Sequence, residues 1–319
     1  MDKKVLLTCI ILLALAMPPA AGLSVVSTTS VLWDPIQFIG GDRVEVIYIA
    51  DPAICPHVQG DIIPNRIQLQ REFIANADLF VAINGSVDRE NVMPFVEKFM
   101  TANGYGNVEW TTLQNPSMVW NTPEGARALG REVTGWLVAA DPGNTTYYEE
   151  RFGEYIRMIN ATDLSGEEKT VIPGQEAIVM IWQREAVEEW LGLSVVTVFA
   201  PPFYEEGRFV PRMIVDDIIN NPEKYQNVRY VVENMQSGEM AKGIEEALRD
   251  QGIPAKRVVF TNFPKSIDGV DSIPDVLAYN KGLVTPGDEQ TPTPQGAPIQ
   301  PLVAVVAIGG ALILAARRR

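Results

Sequence analysis

The chain has 319 residues, 46% of them hydrophobic and 21% charged, with a formal net charge of −14. That much apolar side chain fills one large or two medium cores, so a wholly disordered chain is excluded. The acidic balance, with a pI near 4.6, excludes a nucleic-acid partner, because phosphate binding is driven by basic side chains that release counterions.

The N-terminus reads as a targeting segment. Met1-Asp-Lys-Lys runs into the apolar VLLTCIILLALAM and then PPAAG, the charged, apolar and small-residue order of a secretory signal over residues 1–22. After it, short β-branched runs alternate with amphipathic stretches. LSVVSTTS, VEVIYIA and DLFVAIN read as strands, with helices starting near Trp33 and Asn65. MPFVEKFMTANGYG is a helix ended by glycine, VEWTTL a strand, and TPEGARALGREVTGWLVAAD a helix entered through Thr122-Pro123. In the next stretch Tyr148, Phe152, Tyr155, Ile156 and Ile159 form one apolar stripe, which predicts a helix of about four turns.

A second α/β series follows: the strand AIVMIW, the helix QREAVEEWLGL, the strand SVVTVFA, the helix RMIVDDIINNPE, the strand VRYVVEN, the helix GEMAKGIEEALRDQG and the strand KRVVFTN. The expected architecture is two parallel-sheet α/β lobes, residues 23–142 and 164–284, joined by one helix over 143–163. Residues 285–300, rich in Pro, Thr, Gly and Gln, read as an extended stalk.

The uncharged run LVAVVAIGGALILAA and three closing arginines occupy most of residues 301–319. As a helix the run spans about 22 Å, and with its flanking residues it approaches the lower limit of about 17 residues for a bilayer span. A single C-terminal membrane anchor with its arginines inside is expected, which places a monomer outside the cytoplasm at the cell surface. Signal, threonine-proline stalk, short helix and terminal arginines together look like archaeal surface proteins. The sequons at Asn84, Asn144 and Asn160 fit an outside location.

Cysteines number two, and Cys9 falls in the leader, so Cys55 is unpaired; in an oxidising compartment that means burial, a ligand role or an intermolecular bridge. His57 is the one histidine. With no glycine-rich phosphate loop, no Gly-x-Ser-x-Gly elbow and no His-Glu-x-x-His, nothing in the sequence points to an enzyme.

Seven segments in order carry a family resemblance: IGGDRVEV; the Asp-Pro, Pro-His, Pro loop at 51–64; ANADLFVAINGS; MVWNTPEGARALGREV; DPGNTTYYEERFGEYI; EEWLGLSVV; and VVENMQSGEMAKGIEEAL. In these the chain resembles the zinc and manganese substrate-binding proteins of ABC importers, clamshells whose lobes are joined by a single rigid helix. The resemblance implies an extracytoplasmic binding protein that captures a metal ion between two lobes and delivers it to an ABC permease and ATPase. It also implies a ligand set of three histidines and a carboxylate. Here His57 takes the first place and Met118 the second; Ile181 or Trp182 stands at the third, and Asn262 or Phe263 at the fourth.

One surviving ligand of that set leaves the cargo open. Pro56 favours an extended Cys55, and extended residues two apart face the same way, so Cys55 and His57 could meet one ion. With Met118 they would form a soft set suited to Cu(I) rather than zinc or manganese. Alternatively Trp33, Trp120 and Trp182, with polar contacts from Gln175, Glu176, Gln183 and Asn262, suit an organic ligand or a metal chelate. A degenerate clamshell kept as a surface interaction protein would need no ligand at all.

Overall fold

The computed structural model describes residues 22–286; nearly all of the expected leader and stalk, and the whole of the expected membrane anchor, lie outside the described residues. Among the described residues no helix is long and apolar enough to cross a membrane.

Two four-stranded parallel sheets carry the fold. The first contains β1 (Leu23–Ser27), β2 (Val44–Tyr48), β3 (Leu79–Ala82) and β4 (Trp110–Thr112), in the order β2-β1-β3-β4. The second repeats that order as β6-β5-β7-β8, with β5 (Glu176–Met180), β6 (Ser194–Phe199), β7 (Val228–Asn234) and β8 (Lys256–Phe260). Alternate residues of a strand face opposite sides, and here both sides are buried. Val25 joins one apolar cluster while Val26 joins another, and Ile178 and Val179 divide in the same way in the second sheet. That double burial explains why the strands are continuous β-branched runs rather than alternating ones.

Helices α1 (Ser30–Gly40), α2 (Ile62–Leu69), α3 (Arg71–Ala75), α4 (Met93–Ala102) and α5 (Pro123–Ala140) cover the first sheet. The long α6 (Thr145–Asn160) follows, then α7 (Glu168–Val171), α8 (Pro211–Asn220), α9 (Lys242–Asp250) and α10 (Ile273–Gly282). Tyr148, Tyr155 and Ile159 of the expected apolar stripe are fully buried and pack into the first lobe's core.

Two elements differ from expectation. The continuous helix expected over QREAVEEWLGL is instead a 3-10 turn, Ile181–Gln183, followed by a wide π turn, Ala186–Trp190. Such wide turns inside helices are common at functional sites. The other difference is α10, which the apolar pattern did not disclose. A full capping box, Ser272 with Asp275, starts it, and Ile273 and Leu277 return to pack in the first lobe's core.

The return of α10 is fixed by one buried carboxylate. Asp34 of α1, 5% exposed, accepts from Tyr155 Oη of α6 at 2.6 Å and from the Ile273 N–H at 2.8 Å. Burial pushes this carboxyl up to about 7, so three elements far apart in sequence meet on a group that ionises reluctantly.

Candidate functional site

A cleft of about 1140 Å³ opens between the carboxyl ends of the two sheets, and the segments that follow all eight strands contribute to its lining. Crevices at the carboxyl ends of parallel strands are where α/β proteins bind ligands, because connections diverge there and helix N-termini point inward.

The loop after β2 carries Cys55 and His57. Gln59, with no exposed surface, staples it: Oε1 accepts from the Asp51 N–H at 2.8 Å, and Nε2 donates to Asp51 O at 2.8 Å and Ile54 O at 2.7 Å. Cys55 is extended as expected, with φ −57° and ψ 124°, but Pro56–Val58 forms a 3-10 turn, so the extended run does not continue to His57. The turn nevertheless brings Cys55 Sγ to 3.3 Å from His57 Nδ1. Across the cleft the His57 ring meets Phe203 at 5.3 Å between centroids; Phe203 stacks on Trp182 at 6.2 Å, and Trp182 meets Tyr204 edge-on at 6.4 Å. Phe203 keeps 62% of its surface exposed, a large apolar face left to the cleft and solvent.

Met118, Trp120 and Asn121 come from the loop before α5. Thr122 caps that helix by accepting from the Gly125 N–H at 3.1 Å. Gly125 is required there, because a Cβ would lie 1.7 Å from Val119 O. The consequence is a loop pressed against the second lobe. Asn121 Nδ2 donates to Gln183 Oε1 at 2.9 Å and to Asn262 Oδ1 at 2.8 Å, while Gln183 Nε2 donates to the same Asn262 Oδ1 at 2.9 Å. Trp120 Nε1 donates to Asn262 O at 2.7 Å, and beside this knot Gln236 Nε2 donates to Pro52 O at 3.0 Å. Three neutral amides thus join the lobes at the seam where the family resemblance would put metal ligands.

Cys55, His57, Met118, Trp120, Trp182 and Asn262 all line the cleft. Trp33 does not: its ring packs beside the first lobe's core and its Nε1 donates to Val46 O at 3.1 Å. Gln183 lies behind the lining, fully buried and spent on the amide knot. Gln175 and Glu176, at the opposite end of β5, do not reach the cleft either. Among the described residues, no three His, Cys, Asp or Glu side chains gather closely enough to hold a metal ion.

Several lining residues escaped the sequence reading: Thr29, Asp88, Asn121, Phe203, Tyr204 and the carboxylates Glu185, Glu188, Glu189 and Glu205. Their shared signal was position just beyond a strand's carboxyl end. Asp88 is 1% exposed, and burial pushes its carboxyl up to about 6 although the Asn84 N–H donates to it at 3.0 Å. Glu185 is also raised, by burial and by Glu189 and Glu124 nearby.

The family model for ZnuA, the periplasmic component A of a zinc-uptake complex, matches residues 25–280. The chain belongs to this family. Its members are periplasmic metal-binding components of ABC transporters and not enzymes. The fold is similar to that of the periplasmic zinc-binding protein TroA from Treponema pallidum, with 13% identity, a TM-score of 0.59, and 83% of this chain and 98% of that one covered. It is also similar to a periplasmic metal-binding protein from Candidatus Liberibacter asiaticus, with 17% identity, TM-score 0.57, and 82% and 99% covered. The metal-dependent lipoprotein YcdH from Bacillus subtilis is a third relative, with 20% identity, TM-score 0.56, and 82% and 99% covered. At such identities these likenesses establish the two-lobed α/β architecture.

Proposed function

We propose that the chain is the extracytoplasmic solute-binding component of an ABC importer and that its cargo is a metal complex, a metal ion already held by an organic chelator, rather than a bare ion. The observation that carries this reading is the cleft's composition. A structural metal site needs about four protein donors and an open one about three, whereas the described residues bring no three His, Cys, Asp or Glu together. Cys55 and His57, 3.3 Å apart, with Met118 elsewhere in the lining, supply part of a coordination shell. The chelator supplies the rest.

The cleft, at about 1140 Å³, lies just above the usual range for small-molecule pockets, and its aromatic content agrees with an organic ligand. Ligand pockets for small organic molecules run to about 300–1,000 Å³ and are lined by aromatic side chains with a few placed polar groups. The Trp182, Phe203 and Tyr204 wall and the neutral amide seam match that description. Anchoring by residues 301–319 would keep the lobes beside a permease.

The test compares bare and complexed ions. The chelator-stripped full chain is titrated, under reducing conditions, with zinc, manganese and copper(I) as free ions and as their citrate and histidine complexes, read by tryptophan fluorescence and elemental analysis. One complex is expected to bind stoichiometrically, and Trp182→Ala and His57→Ala each to weaken it at least tenfold. Tight stoichiometric uptake of a free ion, unaffected by Trp182→Ala, would overturn it.

A further inference from the structure

Unpartnered buried polar atoms are rare in folded proteins, and each calls for an explanation. Among the described residues, Thr29 Oγ1 and Ser30 Oγ have no partner, while the neighbouring Thr28 hydroxyl bears on the Asp88 carboxyl; the four residues come from two adjoining segments, after β1 and after β3. All four residues are at most 2% exposed. Thr29 and Asp88 line the cleft.

Thr29 is also the N-cap of α1, a helix of 11 residues, yet its side chain makes no capping bond. An N-cap threonine ordinarily turns its oxygen back to accept from the helix's first free N–H groups. Here the hydroxyl is free to donate, and the first-turn N–H groups, which have no intrahelical acceptor, stay open beside it. Hydroxyl donors, open N–H groups and the positive end of a helix dipole favour a negatively charged oxygen. Among the described lining residues the arginines are Arg89, exposed, on the first lobe and Arg184 on the second, where Arg184 is already paired with Glu188 at 2.7 Å and stands among the carboxylates Glu185, Glu189 and Glu205. An anionic group is therefore better placed on the first lobe than among the carboxylates of the second.

We infer that Thr29 and the N-terminus of α1 form an oxyanion subsite of the cleft, which holds a carboxylate or phosphate group of the ligand and so fixes which end enters the first lobe. This deepens the reading of the cargo as a metal complex, since an anionic group is what a chelator would offer here. Asp88 sets the strength: burial pushes its carboxyl up to about 6, yet at neutral pH it is largely ionised, and in the same lining its charge, poorly screened by solvent, opposes an anion.

The test uses bare oxyanions, so it does not depend on any metal. The full chain is titrated calorimetrically with acetate and with inorganic phosphate, which separate the two sources of the group. One of them is expected to bind, at least fivefold weaker in Thr29→Ala and at least threefold tighter in Asp88→Asn, which removes the charge but keeps an acceptor for the Asn84 N–H. Thr29→Ser should bind as the parent does, which guards against a folding defect in the alanine variant. Thr29→Ala should also leave the melting temperature nearly unchanged, because no capping bond is lost. Binding of neither anion, or binding indifferent to Thr29→Ala, would overturn the subsite while leaving the metal-complex titration to stand or fall by itself.

Discussion

Replacing Asp34 by asparagine separates the charge of the junction from its hydrogen bonds. The amide oxygen can accept from Tyr155 Oη and the Ile273 N–H as the carboxylate does at 2.6 and 2.8 Å, but it never ionises. In the parent, burial is the main cause that raises the carboxyl from 3.8 to about 7, and Asp275 adds to it while the Tyr155 and Ile273 bonds and Lys265 oppose it. The folded state therefore holds a proton that the unfolded chain has lost across this window, and stability falls as pH rises from about 4 to 7. At 1.36 kcal/mol per pH unit the full window is worth about 4 kcal/mol. Urea denaturation of parent and Asp34→Asn at pH 4.5 and pH 8 measures it. The variant is expected to be within about 1 kcal/mol of the parent in acid and to gain on it by about 2–4 kcal/mol at pH 8. A difference that does not change with pH would refute the argument that Asp34 is the titrating group.

Three further perturbations follow from the same structure. Gly125→Ala pushes a Cβ against Val119 O; it should cost about 3 kcal/mol and, by moving the loop that carries Met118 and Trp120, weaken cargo binding, both measurable on one sample by denaturation and titration. Asn121→Ala cuts the bonds to Gln183 and Asn262 and leaves the buried Gln183 Oε1 without a donor, so a loss of about 1–3 kcal/mol and a larger radius of gyration by solution scattering are expected. Arg257→Ala strips the partner at 2.7 Å from Glu233, which is 1% exposed; a loss of about 3–5 kcal/mol in denaturant unfolding is expected, with cargo affinity unchanged.

The sheets were legible because their central strands are buried on both faces, and continuous apolar runs such as AIVM of β5 have few other uses. The joining helix was legible from its stripe, whose Tyr148, Tyr155 and Ile159 are fully buried. By contrast α10 mixes Pro274, Asn280 and Lys281 among its apolar residues, and its start was readable only from the Ser272 and Asp275 capping pair. Cys55 and His57 do lie side by side, with Cys55 extended as Pro56 dictates, but the pair is closed by the 3-10 turn at Pro56–Val58 rather than by a fully extended segment. Trp33 was drawn to the cleft by its closeness in sequence to β1, but α1 turns it toward β2 and Val46. The amide knot could not be read from the chain, since Asn121, Gln183 and Asn262 meet across separations of 62 and 141 residues. Asparagine and glutamine carry no signal of their own until a fold brings them together.

The most direct test of the cargo reading is native mass spectrometry, with elemental analysis, of the full chain isolated from cells that make it. One metal atom per chain together with an added organic mass, both absent from Trp182→Ala and His57→Ala, is the predicted result. A single metal ion bound with no organic mass would contradict it.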